Sequence, residues 1–377
     1  MNETEFRYYQ QTKRAVVKIG SRALTEKNGL NLRLIGSMAG QISRLWENGV
    51  EVILVSSGAL AAGMKKVGLP RRPDEIPKRQ AAAAVGQAGL IMEYEKAFES
   101  HGRKVAQVLL TGSDLNNRKR YLNARNTIHT LLSWGIVPII NENDTVAVDE
   151  IKFGDNDNLS AMIAMLMDAD ILINLTDTDG LHTRDPRQGN AELIPTVEKI
   201  TPKIQKLAGA MPGSLGAGGM SAKIKAAKKL ASAAVPMTIA NAFEENILQK
   251  LFSGQKHGTF FVPKIKRLAS RKCWIAYSTK PKGAITIDDG AAQAILEKGK
   301  SLLPSGVTGV MGDFNVGAPV EFSTGENRTL GVGLVNYSSA HIQKIMGLKT
   351  GMIAGILGSK PYDEVIHRDN LVITDEC

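Results

Sequence analysis

Apolar positions in the first two-thirds of the chain alternate between short β-branched runs and longer stretches with helical spacing. Ala15-Val16-Val17-Lys18-Ile19 is a short apolar run closed by Gly20-Ser21, the pattern of a buried strand ended by a turn. Leu32, Leu34, Ile35, Met38, Ile42 and Leu45 recur at helical spacing. Val50-Glu51-Val52-Ile53-Leu54-Val55 predicts a second strand, ending at Ser56-Ser57-Gly58. An Ala-rich helix is expected from Lys78 to Phe98, a strand from Val105 to Leu110, a helix over Tyr121 to Trp134 and a strand over 136–140. A polar loop, a helix from Leu159 to Met167 and a strand from Ile171 to Leu175 follow. This alternation predicts an α/β fold, a mostly parallel sheet sandwiched by helices.

The pattern changes after about Pro263. Short apolar runs at Ala284–Ile287, Val307–Met311 and Gly331–Val335 alternate with Gly, Ser and Pro. They leave room for one or two brief helices, near Ala291–Glu297 and Ser339–Ile345, and predict a small β-rich C-terminal domain. The chain thus divides into residues 1–263, a basic linker over 264–281 and a domain over 282–377. With 377 residues, more than one domain is expected.

Composition excludes several classes. Hydrophobic residues make up 43% and charged residues 22%, which is ordinary for a globular protein and unlike a disordered one. Cys273 and Cys377 can form neither a disulfide framework nor a metal cluster, and no two histidines stand at ligand spacing, so zinc is not expected. The polar stretch Met1–Arg7 does not read as a secretory signal, and no apolar run reaches the roughly 18 residues of a membrane span. A cytoplasmic location without a membrane partner is expected. The net charge of +10 raises nucleic acid as a ligand. From Lys282 onward, however, eight basic residues face eleven acidic ones, while Lys256 to Lys282 holds eight basic residues and no acidic one. That stretch reads as a solvated linker, with anion steering as the alternative. Phosphate contacts need clustered Lys and Arg, so RNA is not an expected partner of the C-terminal domain.

Four polar clusters fall at predicted strand ends, where open α/β sheets bind their ligands. In the first, Lys18 is costly to bury unless it meets an anion, and Gly20 and Ser21 follow with backbone N–H groups that can face phosphate; the alternative is an ammonium that snorkels to the strand end. In the second, Ser56-Ser57-Gly58-Ala59-Leu60-Ala61-Ala62-Gly63, small residues admit a ligand close to the backbone and helix N-terminal amides suit a carboxylate. A tight turn opening an Ala-rich helix is the alternative there. The third pairs Asn141-Glu142-Asn143-Asp144-Thr145 with Gly154-Asp155-Asn156-Asp157-Asn158. A helix cap needs one Asp or Asn, so the surplus points to a shared polar ligand. The fourth, Gly213 to Lys223, joins a glycine-rich loop, a helix start and a lysine one turn inside. It could cradle an oligophosphate or be a flexible loop, and it is neither a Walker A motif nor a Rossmann fingerprint. Thr176-Asp177 ends a strand within reach of a nucleotide. His367-Arg368-Asp369-Asn370 echoes the protein-kinase catalytic loop, but Thr374 stands where an Asn is required.

Taken together, Val17–Ser21, Ser56–Gly63, Ile140–Asp144 with Glu150-Ile151-Lys152 and Gly154–Ala161, and Gly218–Lys223 resemble the amino acid kinase family, and the resemblance covers nearly the whole chain. The C-terminal domain resembles a PUA domain, a small β fold named from pseudouridine synthases. The Asn-Glu-Asn-Asp and Gly-Asp-Asn-Asp-Asn runs are similar to the branch acting on L-glutamate; the lysine and glycine-loop motifs are shared with relatives such as acetylglutamate kinase and aspartokinase. The resemblance implies ATP-dependent phosphorylation of the side-chain carboxylate of L-glutamate to L-glutamate 5-phosphate, the first step of proline biosynthesis. A relative acting on another carboxylate or on a carbamate is the runner-up, and an RNA-binding protein is the rival from another class. A carboxylate with a pKa of about 4.3 is already ionised at neutral pH. Its attack on phosphorus needs charge stabilisation rather than a general base.

The resemblance further implies that Lys18 contacts the ATP phosphates, Lys223 stabilises the transferring group and Asp157 holds both ammonium groups, staying ionised between them. It assigns Ser57, Gly58, Ala59, Asn141, Asp144 and Asn156 to glutamate, with Asp144 on the substrate ammonium. Gly20, Ser21, Thr176, Asp177, Ala217, Gly218, Gly219, Met220, Ser221 and Ala222, with Lys18 and Lys223, are assigned to ATP. Mg2+ would ride mainly on the phosphates, and no protein ligand for it is named. A homodimer or tetramer, inhibition by proline through the glutamate site and contact with the next reductase of proline synthesis are also implied. Ala217 stands where related sequences often carry Thr, and Met1–Gln11 has no assigned role.

Overall fold

The computed structural model describes residues 1–26, 29–147, 156–186, 189–209, 219–264, 272, 275, 281–325 and 329–373. The chain forms two compact units, Met1–Arg267 and Leu268–Cys377. The basic stretch read as a linker lies largely outside the described residues.

In the first unit the strands are β1 (Arg14–Ile19), a short hairpin of β2 (Thr25–Glu26) and β3 (Gly29–Leu30), β4 (Glu51–Ser56), β5 (Val105–Leu110), β6 (Val137–Glu142), β7 (Ile171–Thr176), β8 (Thr196–Val197), β9 (Met237–Asn241) and β10 (Thr259–Phe261). Apart from the hairpin they form one eight-stranded sheet in the order β5-β6-β4-β1-β7-β9-β10-β8. Neighbours pair in parallel except β9 with β10. The helices are α1 (Glu3–Gln10), α2 (Ser21–Leu24), α3 (Leu32–Glu47), α4 (Ala59–Lys66), α5 (Ile76–Glu99), α6 (Gly112–Asn116), α7 (Arg118–Ser133), α8 (Asn156–Leu166), α9 (Pro202–Gly209), α10 (Met220–Ser232) and α11 (Ile247–Phe252).

The pleat divides β1 between two environments. Ala15, Val17 and Ile19 join a core with Val52, Leu54, Ile171, Ile173 and Leu175, packed against α3 and α5 through Ile35, Met38, Ile42, Leu90 and Tyr94. The alternate residues Val16 and Lys18 fall on the opposite face, where α8 packs on β1 and α10 packs on α8. A chain crossing from β6 to β7 passes from one side of β1 to the other. That reversal opens a crevice beyond the carboxyl ends of the strands, where open α/β sheets bind ligands.

The N-terminal segment without an assigned role is helix α1. Its N-cap Asn2 accepts from the Glu5 amide while Glu5 reaches back, a capping box. The Tyr9 hydroxyl hydrogen-bonds Thr238 at 2.5 Å, the Thr196 hydroxyl donates to Glu5, and the Tyr9 ring meets Phe252 edge-on at 5.4 Å. Burial drives the Tyr9 hydroxyl far above its ordinary pKa against the pull of its Thr238 bond. This helix therefore fastens the far edge of the sheet, a task its short, mixed sequence does not announce.

The second unit is a five-stranded sheet in the order β12-β11-β13-β14-β15, built from β11 (Ala284–Ile287), β12 (Val307–Met311), β13 (Pro319–Thr324), β14 (Thr329–Val335) and β15 (Ile366–Ile373). Its core gathers Ile285, Val320, Phe322, Tyr337, Ile342 and Ile366. Helices at Asp289–Lys298 and Ser339–Ile345 match expectation, but a third, Ile353–Leu357, exceeds the one or two read from the sequence. Strand β15 contains His367-Arg368-Asp369-Asn370, so that motif is extended backbone. Among the described residues no helix is long and apolar enough to cross a membrane.

Helices α4 and α5 meet backbone to backbone. A Cβ added at Gly86 would stand 1.9 Å from the Ala59 carbonyl oxygen, and one at Gly63 would stand 1.6 Å from that of Ala82. Only glycine permits this approach, and it locks α4 against α5. Gly89, on the same helix, has no neighbour within 4 Å of such a Cβ. Gly86→Ala is expected to cost about 1–3 kcal/mol or more through overpacking, whereas Gly89→Ala should stabilise by about 0.5–1 kcal/mol. Thermal unfolding of the two variants beside the parent checks this; equal melting points would remove the close-packing argument.

Candidate active site

Lys18 enters the site because of strand register. In the parallel pairing of β1 with β7 it stands opposite Asn174, so both side chains leave the sheet on the same face. The first turn of α8 crosses that face and brings Asp157 down onto them. Lys18 Nζ lies 2.5 Å from Asp157 Oδ1, and Asn174 Nδ2 donates to the same oxygen at 2.7 Å. Lys223, in the first turn of α10, places its Nζ 2.9 Å from Asp157 Oδ2. The exposures are 3% for Lys18, 4% for Lys223 and 0% for Asp157. Burial alone would raise the Asp157 pKa, but the two ammonium charges and the bonds from Lys18 and Asn174 overwhelm it and hold the carboxyl well below the ordinary range.

Above this triad lies a cavity of about 400 Å³ lined by Lys18, Gly20, Ser21, Ser57, Gly58, Ala59, Asn141, Asp144, Asn156, Thr176, Asp177, Gly219 and Lys223, among others. These come from segments read separately in the sequence, and the strand ends bring them together. Asp157 lies behind this wall, and Met220, Ser221 and Ala222 form the first turn of α10 beside it. Ala217 and Gly218, like Glu150-Ile151-Lys152 and Gly154-Asp155, lie outside the described residues.

Two helix starts face this space. Gly58, with φ of 99°, is the N-cap of α4, a left-handed position that favours glycine. The first bond of α4 runs from the Ala62 N–H to the Gly58 carbonyl at 2.9 Å, which leaves the three preceding amides outside the helix's own bonding. In α10 the Ala222 and Lys223 N–H groups both donate to the Gly219 carbonyl, and the amides of Met220 and Ser221 precede them. Anions are stabilised at both places.

The opposite wall is polar. Asn156 Nδ2 is shared among the Ser56 carbonyl (2.8 Å), Ser57 Oγ (2.8 Å) and Asn141 Oδ1 (3.0 Å), while its own Oδ1 is buried without a hydrogen-bond partner among the described residues. Asn141 Nδ2 in turn donates to Gln87 of α5 at 2.7 Å. Asp144 is partly buried, and burial pushes its carboxyl above the ordinary range against the charge of Arg72. At the rim beyond the end of β7, Thr176 Oγ1 donates to Asp177 at 3.0 Å and Arg22 pairs with Asp177 at 3.4 Å. Among the described residues no group of three or more His, Cys, Asp or Glu side chains could hold a metal ion.

Sequence reasoning missed Asn174, Gln87, Arg22 and Arg72. The first had a signal, since a polar residue inside the apolar run Ile171–Leu175 is as costly as Lys18 is. The other three lie in segments whose polarity is ordinary for helix and loop surfaces.

A crevice at the sheet's switch point, with two open helix starts and two buried lysines on one carboxylate, is a site built for an anionic ligand. The amino acid kinase family model matches residues 13–241, and a PUA domain model matches 283–357. The chain belongs to the amino acid kinase family. It is 50% identical over 374 residues to the protein named glutamate 5-kinase of Syntrophus aciditrophicus (strain SB), covering 99% of this chain and 97% of that one. The proteins of the same name from Thermoanaerobacter sp. (strain X514) and Geobacter sulfurreducens (strain ATCC 51573 / DSM 12127 / PCA) are each 50% identical, over 96% of this chain and 98% of theirs.

Because the folded-state pKa of Asp157 lies below its unfolded value, its ionisation contributes stability that is fully present above about pH 4. That contribution is lost as the pH falls through the folded-state value. Asp157→Asn should erase this acid-side dependence and, by leaving two buried ammonium groups facing each other, cost about 3–5 kcal/mol at neutral pH. Urea unfolding of parent and variant between roughly pH 3 and pH 7 measures both effects, and superimposable curves would contradict the assigned ionisation.

Proposed function

We propose that this protein transfers the γ-phosphoryl group of ATP to the side-chain carboxylate of L-glutamate, giving L-glutamate 5-phosphate in proline biosynthesis. The observation that carries the reading is the buried triad in which Lys18 and Lys223 share Asp157 at the base of the cavity. The two ammonium groups, fixed on one carboxylate, stand where two anions must meet.

ATP lies along Gly20, Ser21, Thr176, Asp177 and the Gly219–Lys223 turn, its phosphates drawn to the α10 start. Mg2+ carried on those phosphates would supply neutralisation of their charge. Glutamate occupies the other side, with its ammonium on Asp144 and its side-chain carboxylate between the lysines and the amides of α4. The side-chain carboxylate is ionised, so no proton is moved. Its oxygen forms the new O–P bond as the bond between the γ-phosphorus and the bridging oxygen breaks, and ADP leaves. Lys18 and Lys223 offset the repulsion between the two anions and the charge on the migrating group. Such preorganised charge in a water-poor site is usually the largest part of catalysis of this kind. Proline, a cyclic relative of the substrate, would compete for the same half of the cavity.

Hydroxylamine trapping of acyl phosphate with glutamate, aspartate and N-acetylglutamate, side by side, tests the reading; product with glutamate only is expected, and equal yields from another acid would overturn it. Lys223→Ala should lower kcat by about 100- to 1,000-fold with the glutamate KM nearly unchanged. Asp144→Ala should chiefly raise that KM, by roughly 10- to 100-fold.

A further inference from the structure

Among the described residues the cavity is lined by four cationic side chains, and three of them are engaged. Lys18 and Lys223 share Asp157, and Arg22 pairs with Asp177. The fourth is Arg72, which lines the cavity beside Asp144 and makes no ion pair among the described residues. Its loop joins α4 to α5 and reads Leu69-Pro70-Arg71-Arg72-Pro73. Two prolines stiffen so short a connection, and Pro73 keeps the backbone of Arg72 extended. The backbone that carries Arg72 is therefore restrained beside the cavity at low entropic cost. The guanidinium charge acts on Asp144 and opposes the effect of burial there.

The proposed substrate carries three charges. Its side-chain carboxylate must reach the lysine end of the cavity, and its ammonium is assigned to Asp144. The α-carboxylate is joined to the same carbon as the ammonium and must lie beside Asp144. We propose that Arg72 binds the substrate α-carboxylate, so that Arg72 and Asp144 together read the zwitterionic head group of the amino acid. This assignment rests on the glutamate reading above. A planar guanidinium grips a carboxylate with two parallel hydrogen bonds, which a lysine cannot reproduce. Because the acidic and basic partners stand side by side, they also discriminate against acids lacking either charge. An uncompensated Asp144 or Arg72 would remain in the cavity with such a ligand.

The test uses the full-length enzyme, with Arg72→Gln and Arg72→Lys beside the parent. The glutamate KM is measured by acyl-phosphate trapping. Inhibition constants are measured for glutarate, which lacks the ammonium, and for 4-aminobutyrate, which lacks the α-carboxylate. Arg72→Gln should raise the glutamate KM and the glutarate constant by about 10- to 100-fold, with kcat and the ATP KM within about threefold of the parent. The 4-aminobutyrate constant should not change, because the group that Arg72 reads is missing, and Arg72→Lys should fall between parent and Gln. An equal penalty on all three ligands, or a fall in kcat at unchanged KM as expected of a residue on the transferring phosphoryl group, would overturn the assignment while leaving the glutamate reading intact. If the parent itself formed no acyl phosphate from glutamate, the reading and this assignment would fall together.

Discussion

One buried carboxylate between two ammonium groups organises the kinase unit. Asp157 has no exposure to solvent, and an isolated charge there would be prohibitively costly. Lys18 from β1 and Lys223 from α10 remove that cost, and Asn174 from β7 closes the remaining side of one oxygen. The arrangement cannot form unless α8 sits on the sheet and α10 sits on α8. Folding of the ligand-binding end and assembly of the charged site are therefore the same event.

Around this centre the fold offers its polar groups in two halves. Helix α10 and the ends of β1 and β7 present amides and hydroxyls that suit phosphate. Helix α4, the end of β6 with the turn after it, and the start of α8 present amides, Asn141, Asp144 and Asn156, which suit an amino acid. The contact of Gly63 with Gly86 determines where α4 begins. The bond from Asn141 to Gln87 then ties this half to the long helix α5. The position of this wall depends on a helix whose own sequence carries no chemical motif.

Much of the architecture was legible in hydropathy. The strands carrying β1, β4, β5, β6 and β7 are apolar runs bounded by glycine or polar residues, and α3 and α5 show their buried faces by spacing. Elements that bury little or alternate were harder to read. Strand β13 hides only alternate residues of Pro319–Thr324, and the middle of β15 is exposed around Arg368 and Asp369, so neither forms an apolar run. Helix α1 is polar, short and anchored by Tyr9 and Glu5, whose partners lie about two hundred residues away. No local pattern can report a partner at that distance.

What the sequence alone determined is the inventory: a lysine in a strand, small residues at a strand exit, surplus Asp and Asn around 141–158 and a glycine-rich helix start. Those features are local, because each is a residue out of place for its predicted element, and they sufficed to indicate a phosphate and carboxylate chemistry. Tertiary structure decided which of them meet. Parallel register set Asn174 beside Lys18, the sheet's reversal at β1 opened the crevice, and the turn between α4 and α5 carried Arg72 to Asp144. Register and crossover are properties of paired strands and packed helices, so the contacts they create exist only once the chain has folded.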